Sequence, residues 1–82
     1  MEAKRRITRQ QRRAARDEAF RRLDDVAAHA QEVRVNDAIC SHITVFLDTG
    51  ERVEWWPGAQ HWRIGLEDWR GDMEEFLEWL QQ

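Results

Sequence analysis

The side chains that catalysis and metal binding draw on are few in this chain: His29, His42, His61 and a single cysteine, Cys40. They fall in separate stretches, and their spacing matches no nucleophile–base–acid template. Cys40 and His42 stand two apart at the start of a strand-like run, where residues i and i+2 share a face. A closed zinc site takes four ligands and usually paired cysteines, so no metal is expected and Cys40 reads as a small buried hydrophobe. Glu74, Glu75 and Glu78 crowd one short helical stretch. With no pocket to gather them they read as solvated acids that suit the positive end of a helix, not as a general acid–base group. Gly65 and Gly71 do not belong to a Gly-rich loop opening a helix, so no phosphate cradle is present. The chain is expected not to be an enzyme and to take no cofactor.

What remains is contact chemistry, and it is unevenly distributed. Lys4, Arg5, Arg6, Arg9, Arg12, Arg13 and Arg16 form a basic run without an acid. From Asn36 to Gln82 ten acids (Asp37, Asp48, Glu51, Glu54, Glu67, Asp68, Asp72, Glu74, Glu75, Glu78) face three arginines (Arg52, Arg63, Arg70), although the whole chain carries only −3. One end suits phosphates; the other repels or imitates them. Trp55-Trp56 adds a second signal. Neighbouring strand residues point to opposite faces, so both indoles cannot enter one core. If Ile43, Val45, Leu47, Val53, Trp55, Trp62 and Ile64 face the helices, Phe46 and Trp56 join Thr44, Arg52, Arg63, His42 and His61 on an outer face; the alternative is that the helices divide between both faces and bury Trp56 too. Aromatic and arginine side chains together are what interface hot spots favour, and what platforms for stacked bases also use.

The elements that position these groups follow from periodicity and caps. Thr8 with Gln11 is a capping box, and Phe20, Leu23, Val26, Ala27 and Ala30 lie on one helical stripe, which predicts a first helix from Thr8 to about Ala30–Glu32. Val33 and Val35 begin an alternating pattern that the Asn36-Asp37 turn signal ends. Ser41 to Leu47 and Glu51 to Trp56 alternate as strands around Asp48-Thr49-Gly50, where Gly50 supplies a positive φ. Pro57-Gly58-Ala59-Gln60 turns the chain into a third strand, His61 to Ile64. Asp72 and Glu75 form a second capping box ahead of Met73, Phe76, Leu77 and Leu80, an i, i+3, i+4, i+7 apolar face flanked by Trp79. The expected fold is α+β, an αβββα order with a three-stranded antiparallel meander.

Length and composition bound the rest. At 82 residues the chain forms one domain, expected over 8–82 behind a basic flexible tail at 1–7. Five tryptophans and three phenylalanines supply the apolar area that a chain this small lacks otherwise. One cysteine excludes an internal disulfide and suits a reducing compartment. The longest strongly apolar run, Ile43 to Leu47, is too short to span a bilayer, and no apolar segment follows the basic N-terminus. A cytoplasmic protein without membrane contact is expected, as a monomer or weak homodimer.

The stretches Phe46-Leu47-Asp48-Thr49-Gly50, Glu54-Trp55-Trp56-Pro57-Gly58, Gln60-His61-Trp62-Arg63 and Arg70-Gly71 before an apolar helix resemble those of small bacteriophage accessory proteins. The resemblance spans Val45 to Leu80. Gly58-Ala59-Gln60 stands where many of those proteins have a Ser/Thr-Thr-Gly turn. It implies a short cytosolic protein of the host cell acting on a larger host machine. With the acidic half it implies an anti-CRISPR-like inhibitor that blocks the nucleic-acid-binding surface of a defence nucleoprotein complex. Phe46, Arg52, Glu54, Trp56, Arg63, Glu67, Asp68, Asp72, Glu74, Glu75 and Glu78 would then be the partner-binding residues. The alternative is a nucleic-acid-binding accessory protein using Lys4, Arg5, Arg6, Arg9, Arg12, Arg13 and Arg16 with the aromatic sheet face.

Overall fold

The computed structural model describes residues 7–82; Lys4, Arg5, Arg6 and nearly all of the expected tail lie outside the described residues. Helix α1 spans Arg9–Arg21 and α2 spans Leu23–Ala27. The strands are β1 (Glu32–Val35), β2 (Ile43–Phe46), β3 (Arg52–Trp56), β4 (His61–Ile64) and β5 (Glu67–Arg70), and α3 (Met73–Leu80) closes the chain. The strands form one antiparallel sheet in the order β1-β2-β3-β4-β5. The fold is α+β as expected, but the sheet has five strands and not three.

The two additional strands are the edges, and both escape periodicity for a physical reason. Only Val33 of β1 is even partly buried, and all four residues of β5 are exposed, so neither edge carries a sustained apolar alternation. Glu, Asp and Arg have little intrinsic strand preference. Pairing imposes the conformation on β5: Gly65, at φ 58°, takes the first central position of the two-residue loop between Ile64 and Glu67, where a type II′ hairpin turn favours glycine.

The expected single first helix is also corrected. It breaks at Arg22 (φ −110°, ψ 19°), which serves as C-cap of α1 and N-cap of α2. The Arg22 guanidinium binds Asp25 at 3.0 Å and Glu74 of α3, which ties the break to the far helix. The change of direction rotates the stripe: Ala19 and Val26 are fully buried, whereas Phe20 is 66% exposed and Ala27 faces water. Both expected capping boxes form, Thr8 with Gln11 and Asp72 with Glu75.

All three helices contribute to one core on one face of the sheet. Ala19, Val26, Met73, Phe76 and Leu77 pack with Ile43, Val45, Val53, Trp55 and Trp62. Phe76 is the pivot, with its ring 4.2 Å from Trp55 and 5.0 Å from Trp62, centroid to centroid. A buried indole removes roughly 150–250 Å² from water, an upper limit of about 4–6 kcal/mol. The Pro57–Ala59 segment is a 3₁₀ turn that ends on Gln60 in the left-handed region (φ 51°). Gly58 is there for space: a Cβ on it would stand 3.2 Å from Arg16 Cγ and 3.3 Å from the Arg12 carbonyl, so glycine lets α1 seat on the turn.

Candidate functional site

The second face of the sheet carries no helix. Cross-strand registry arranges its side chains in rows. One row holds Trp56, His61 and Arg70 with His42 beside Trp56; the next holds Arg34, Thr44, Glu54, Arg63 and Asp68; a third holds Glu32, Phe46 and Arg52. Alternation alone assigns Phe46, Trp56, Thr44, Arg52, Arg63, His42 and His61 to this face, and the structure puts them there.

The first row is a stack. His42 and His61 lie on either side of the Trp56 indole, each with its ring centroid 5.1 Å away and its plane within 8° and 13° of the indole, respectively. Both π-faces of Trp56 are therefore covered, and it turns an edge to solvent. Each imidazole is fixed by a carboxylate. Glu54 Oε1 lies 3.3 Å from His42 Nε2 and accepts a 2.6 Å hydrogen bond from the Thr44 hydroxyl. Asn36 Nδ2 donates to Thr44 Oγ1 at 2.9 Å and lies 3.3 Å from His42 Nδ1, so both ring nitrogens of His42 have a neighbour. On the other side Asp68 Oδ1 meets His61 Nε2 at 2.9 Å and accepts from Arg63 Nε at 2.8 Å. These bonds, Arg63 first and His61 second, hold the Asp68 carboxyl below the usual carboxylate range. At the β1 end the Arg34 guanidinium stands 5.1 Å over the Phe46 ring, a cation–π pair.

The partner-binding residues expected from sequence do not form one surface. Phe46, Arg52, Glu54, Trp56, Arg63 and Asp68 share the open face, but Glu54 and Asp68 are engaged by their own neighbours. Asp72, Glu74, Glu75 and Glu78 belong to α3 and its cap, and Glu67 points to that same helical side, opposite Ile64. Asp72 and Glu75 bind each other's backbone N–H groups, and Glu74 holds Arg22. The open face instead has Arg34, Arg52, Arg63 and Arg70 against Glu32, Glu54 and Asp68, a nearly balanced set.

The basic alternative is divided in the same way. Arg9, Arg12, Arg13 and Arg16 lie on α1, the helix whose Ala19 enters the core on the covered side of the sheet, and not on the strands that carry the open face. Arg9, Arg13 and Arg16 line an open cleft of about 770 Å³ with exposed Phe20 and Ile39. Sequence reasoning missed this cleft and Arg34. The cleft lies between α1 and the 37–41 turn, where Ser41 N donates to Asp37 Oδ1 at 2.8 Å.

Cys40 is 5% exposed, at φ 58°. Burial first, and then the Asp37 charge, push its thiol above the ordinary cysteine value. Among the described residues no group of three or more His, Cys, Asp or Glu side chains is placed to hold a metal ion, and no helix is long and apolar enough to cross a membrane. Comparison with protein-family models, with curated proteins and with solved structures returned no match.

Proposed function

We propose that this protein works by contact, as a non-enzymatic binding protein whose open sheet face seats on a larger protein assembly. The observation that carries the reading is the His42–Trp56–His61 stack. It is a rigid aromatic ridge on a face no helix covers, held by carboxylates and flanked by arginines. A side chain fixed before contact loses little rotamer freedom on binding, and Trp with Arg dominates the central residues of protein interfaces.

Two features favour a protein over a nucleic acid. The faces of Trp56 are already taken, so a base has no indole surface on which to stack. The balanced charges of the face offer little phosphate neutralisation. Taken with the resemblance to bacteriophage accessory proteins, the target we favour is a host defence nucleoprotein complex, inhibited by occupation of its nucleic-acid-binding surface. In this form of the proposal the aromatic and arginine face makes the contact and the α3 acids stay outside it.

Target-DNA binding by the CRISPR effector complex of the host, measured with increasing amounts of the protein, tests the reading. A stoichiometric block by the wild type and at least a tenfold weaker block by Trp56→Ala are expected. No block at any ratio, or an equal block by the variant, refutes it. Direct titration of single-stranded DNA at low salt tests the nucleic-acid alternative, and binding lost on replacing Arg9, Arg12 and Arg13 would transfer the function to α1.

A further inference from the structure

The β5 edge points to a binding partner in a second copy of this chain, on a surface separate from the aromatic stack. β5 is a terminal strand, exposed throughout; it is short and three of its four residues are charged, which discourages pairing in any register that opposes like charges, but it carries no proline. Its backbone geometry fixes which groups are free. The two-residue loop makes Ile64–Glu67 a hydrogen-bonded pair, and the Gly71 N–H donates to the Gln60 carbonyl at 3.0 Å. In an antiparallel ladder such pairs recur at every second residue. Glu67, Trp69 and Gly71 therefore turn their N–H and C=O groups toward β4, and Asp68 and Arg70 turn theirs outward.

A two-fold antiparallel pairing of β5 with its copy has to satisfy two conditions: opposed residues share a face, and outward-turned residues oppose one another. Three registers do so. One sets Asp68 against Asp68 and another sets Arg70 against Arg70, each with like charges directly opposite, which is unfavourable. The third sets Asp68 of each copy against Arg70 of the other, giving two reciprocal ion pairs on the open face. It also brings Trp69 against Trp69 on the axis, at the closer spacing of a pair without hydrogen bonds.

The side chains are ready for that register. Arg70 has no ion-pair partner among the described residues, and Asp68 engages Arg63 and His61 through Oδ1 alone, leaving Oδ2 for a further donor. Trp69 is 41% exposed beside Trp79, with ring centroids 6.1 Å apart, so apposition of two copies would gather four indoles on the helical side. We propose that two copies join through β5 in this register, forming one continuous ten-stranded sheet. A pairing four residues long is a small interface, so association is expected to be reversible and concentration-dependent.

Light scattering behind size exclusion, over about 10 μM to about 1 mM, reads the equilibrium directly. The mass should rise from that of the 9.9 kDa chain toward twice that value. Arg70→Glu sets Glu against Asp68 of the second copy and should move the midpoint up by tenfold or more, with an unchanged circular dichroism spectrum. The register has its own readout in a Cys40→Ser background: Trp69→Cys should oxidise to a disulfide-linked dimer across the axis, and Asp68→Cys should do so far less. A wild type that stays at single-chain mass over the whole range overturns the proposal. So does an Arg70→Glu variant that associates like the wild type, or cross-linking at position 68 equal to that at position 69.

Discussion

Adjacent tryptophans make the sharpest test of how the sheet is oriented. Trp55 is 2% exposed and stacked on Phe76 at 4.2 Å, so Trp55→Ala removes the centre of the core. Truncations of this kind cost about 3–5 kcal/mol. A domain of this size has about 4–12 kcal/mol in all, so the variant should lose from about a quarter of its stability to all of it. Trp56 stands one residue away with an edge in water and only imidazoles against its faces. Each aromatic pair contributes about 0.5–1.5 kcal/mol, so Trp56→Ala, which removes two pairs, should cost about 1–3 kcal/mol, less than Trp55→Ala, and keep a cooperative transition. Urea unfolding followed by far-ultraviolet circular dichroism separates the two, because it does not depend on the indole being replaced. Equal losses, or a larger loss for Trp56→Ala, would refute a sheet covered on one face only.

Three further outcomes follow from particular contacts. Gly58→Ala forces a Cβ against the Arg12 carbonyl, which has no flexible end to move aside; a cost of about 1–3 kcal/mol is expected, seen as a drop in Tm of about 4–8 °C per kcal/mol. The lowered Asp68 carboxyl contributes stability that is full above the ordinary carboxylate value and is lost as pH falls through its folded value. The Tm gap between wild type and Asp68→Asn in dilute solution should therefore be widest near neutrality and close below about pH 4; a gap independent of pH contradicts the assignment. Burial that raises the Cys40 thiol also shields it, so alkylation by iodoacetamide should be slow in the folded protein and fast in urea, and equal rates would place Cys40 at the surface.

How far the sequence reaches is clear from individual elements. The inward set Ile43, Val45, Val53, Trp55 and Trp62 is readable because a half-buried strand has to alternate, and all five are buried. The positive φ of Gly50 and both capping boxes are readable because local chemistry demands them. β5 is not readable, since Glu67-Asp68-Trp69-Arg70 becomes a strand only by pairing with β4. The break at Arg22 is accompanied by a contact with Glu74, 52 residues away, which local periodicity does not report. The outer face was visible as a set of residues, but not the stack within it. That stack requires Trp56 opposite His61, a register set by the 3₁₀ turn and Gln60. The expected union of acids and indole fails for a similar reason: α3 docks on the covered side and takes Asp72, Glu74, Glu75 and Glu78 with it.

The five indole N–H groups are built-in reporters of the contact face. Their ¹H–¹⁵N signals, recorded while the inhibited effector complex is titrated in, test the central claim most directly. Binding through the open sheet face predicts that the Trp56 signal shifts or broadens first, while Trp55 and Trp62 in the core, and Trp69 and Trp79 at the β5–α3 ledge, change little. A Trp56 signal that stays in place while Trp69 and Trp79 respond would contradict the account.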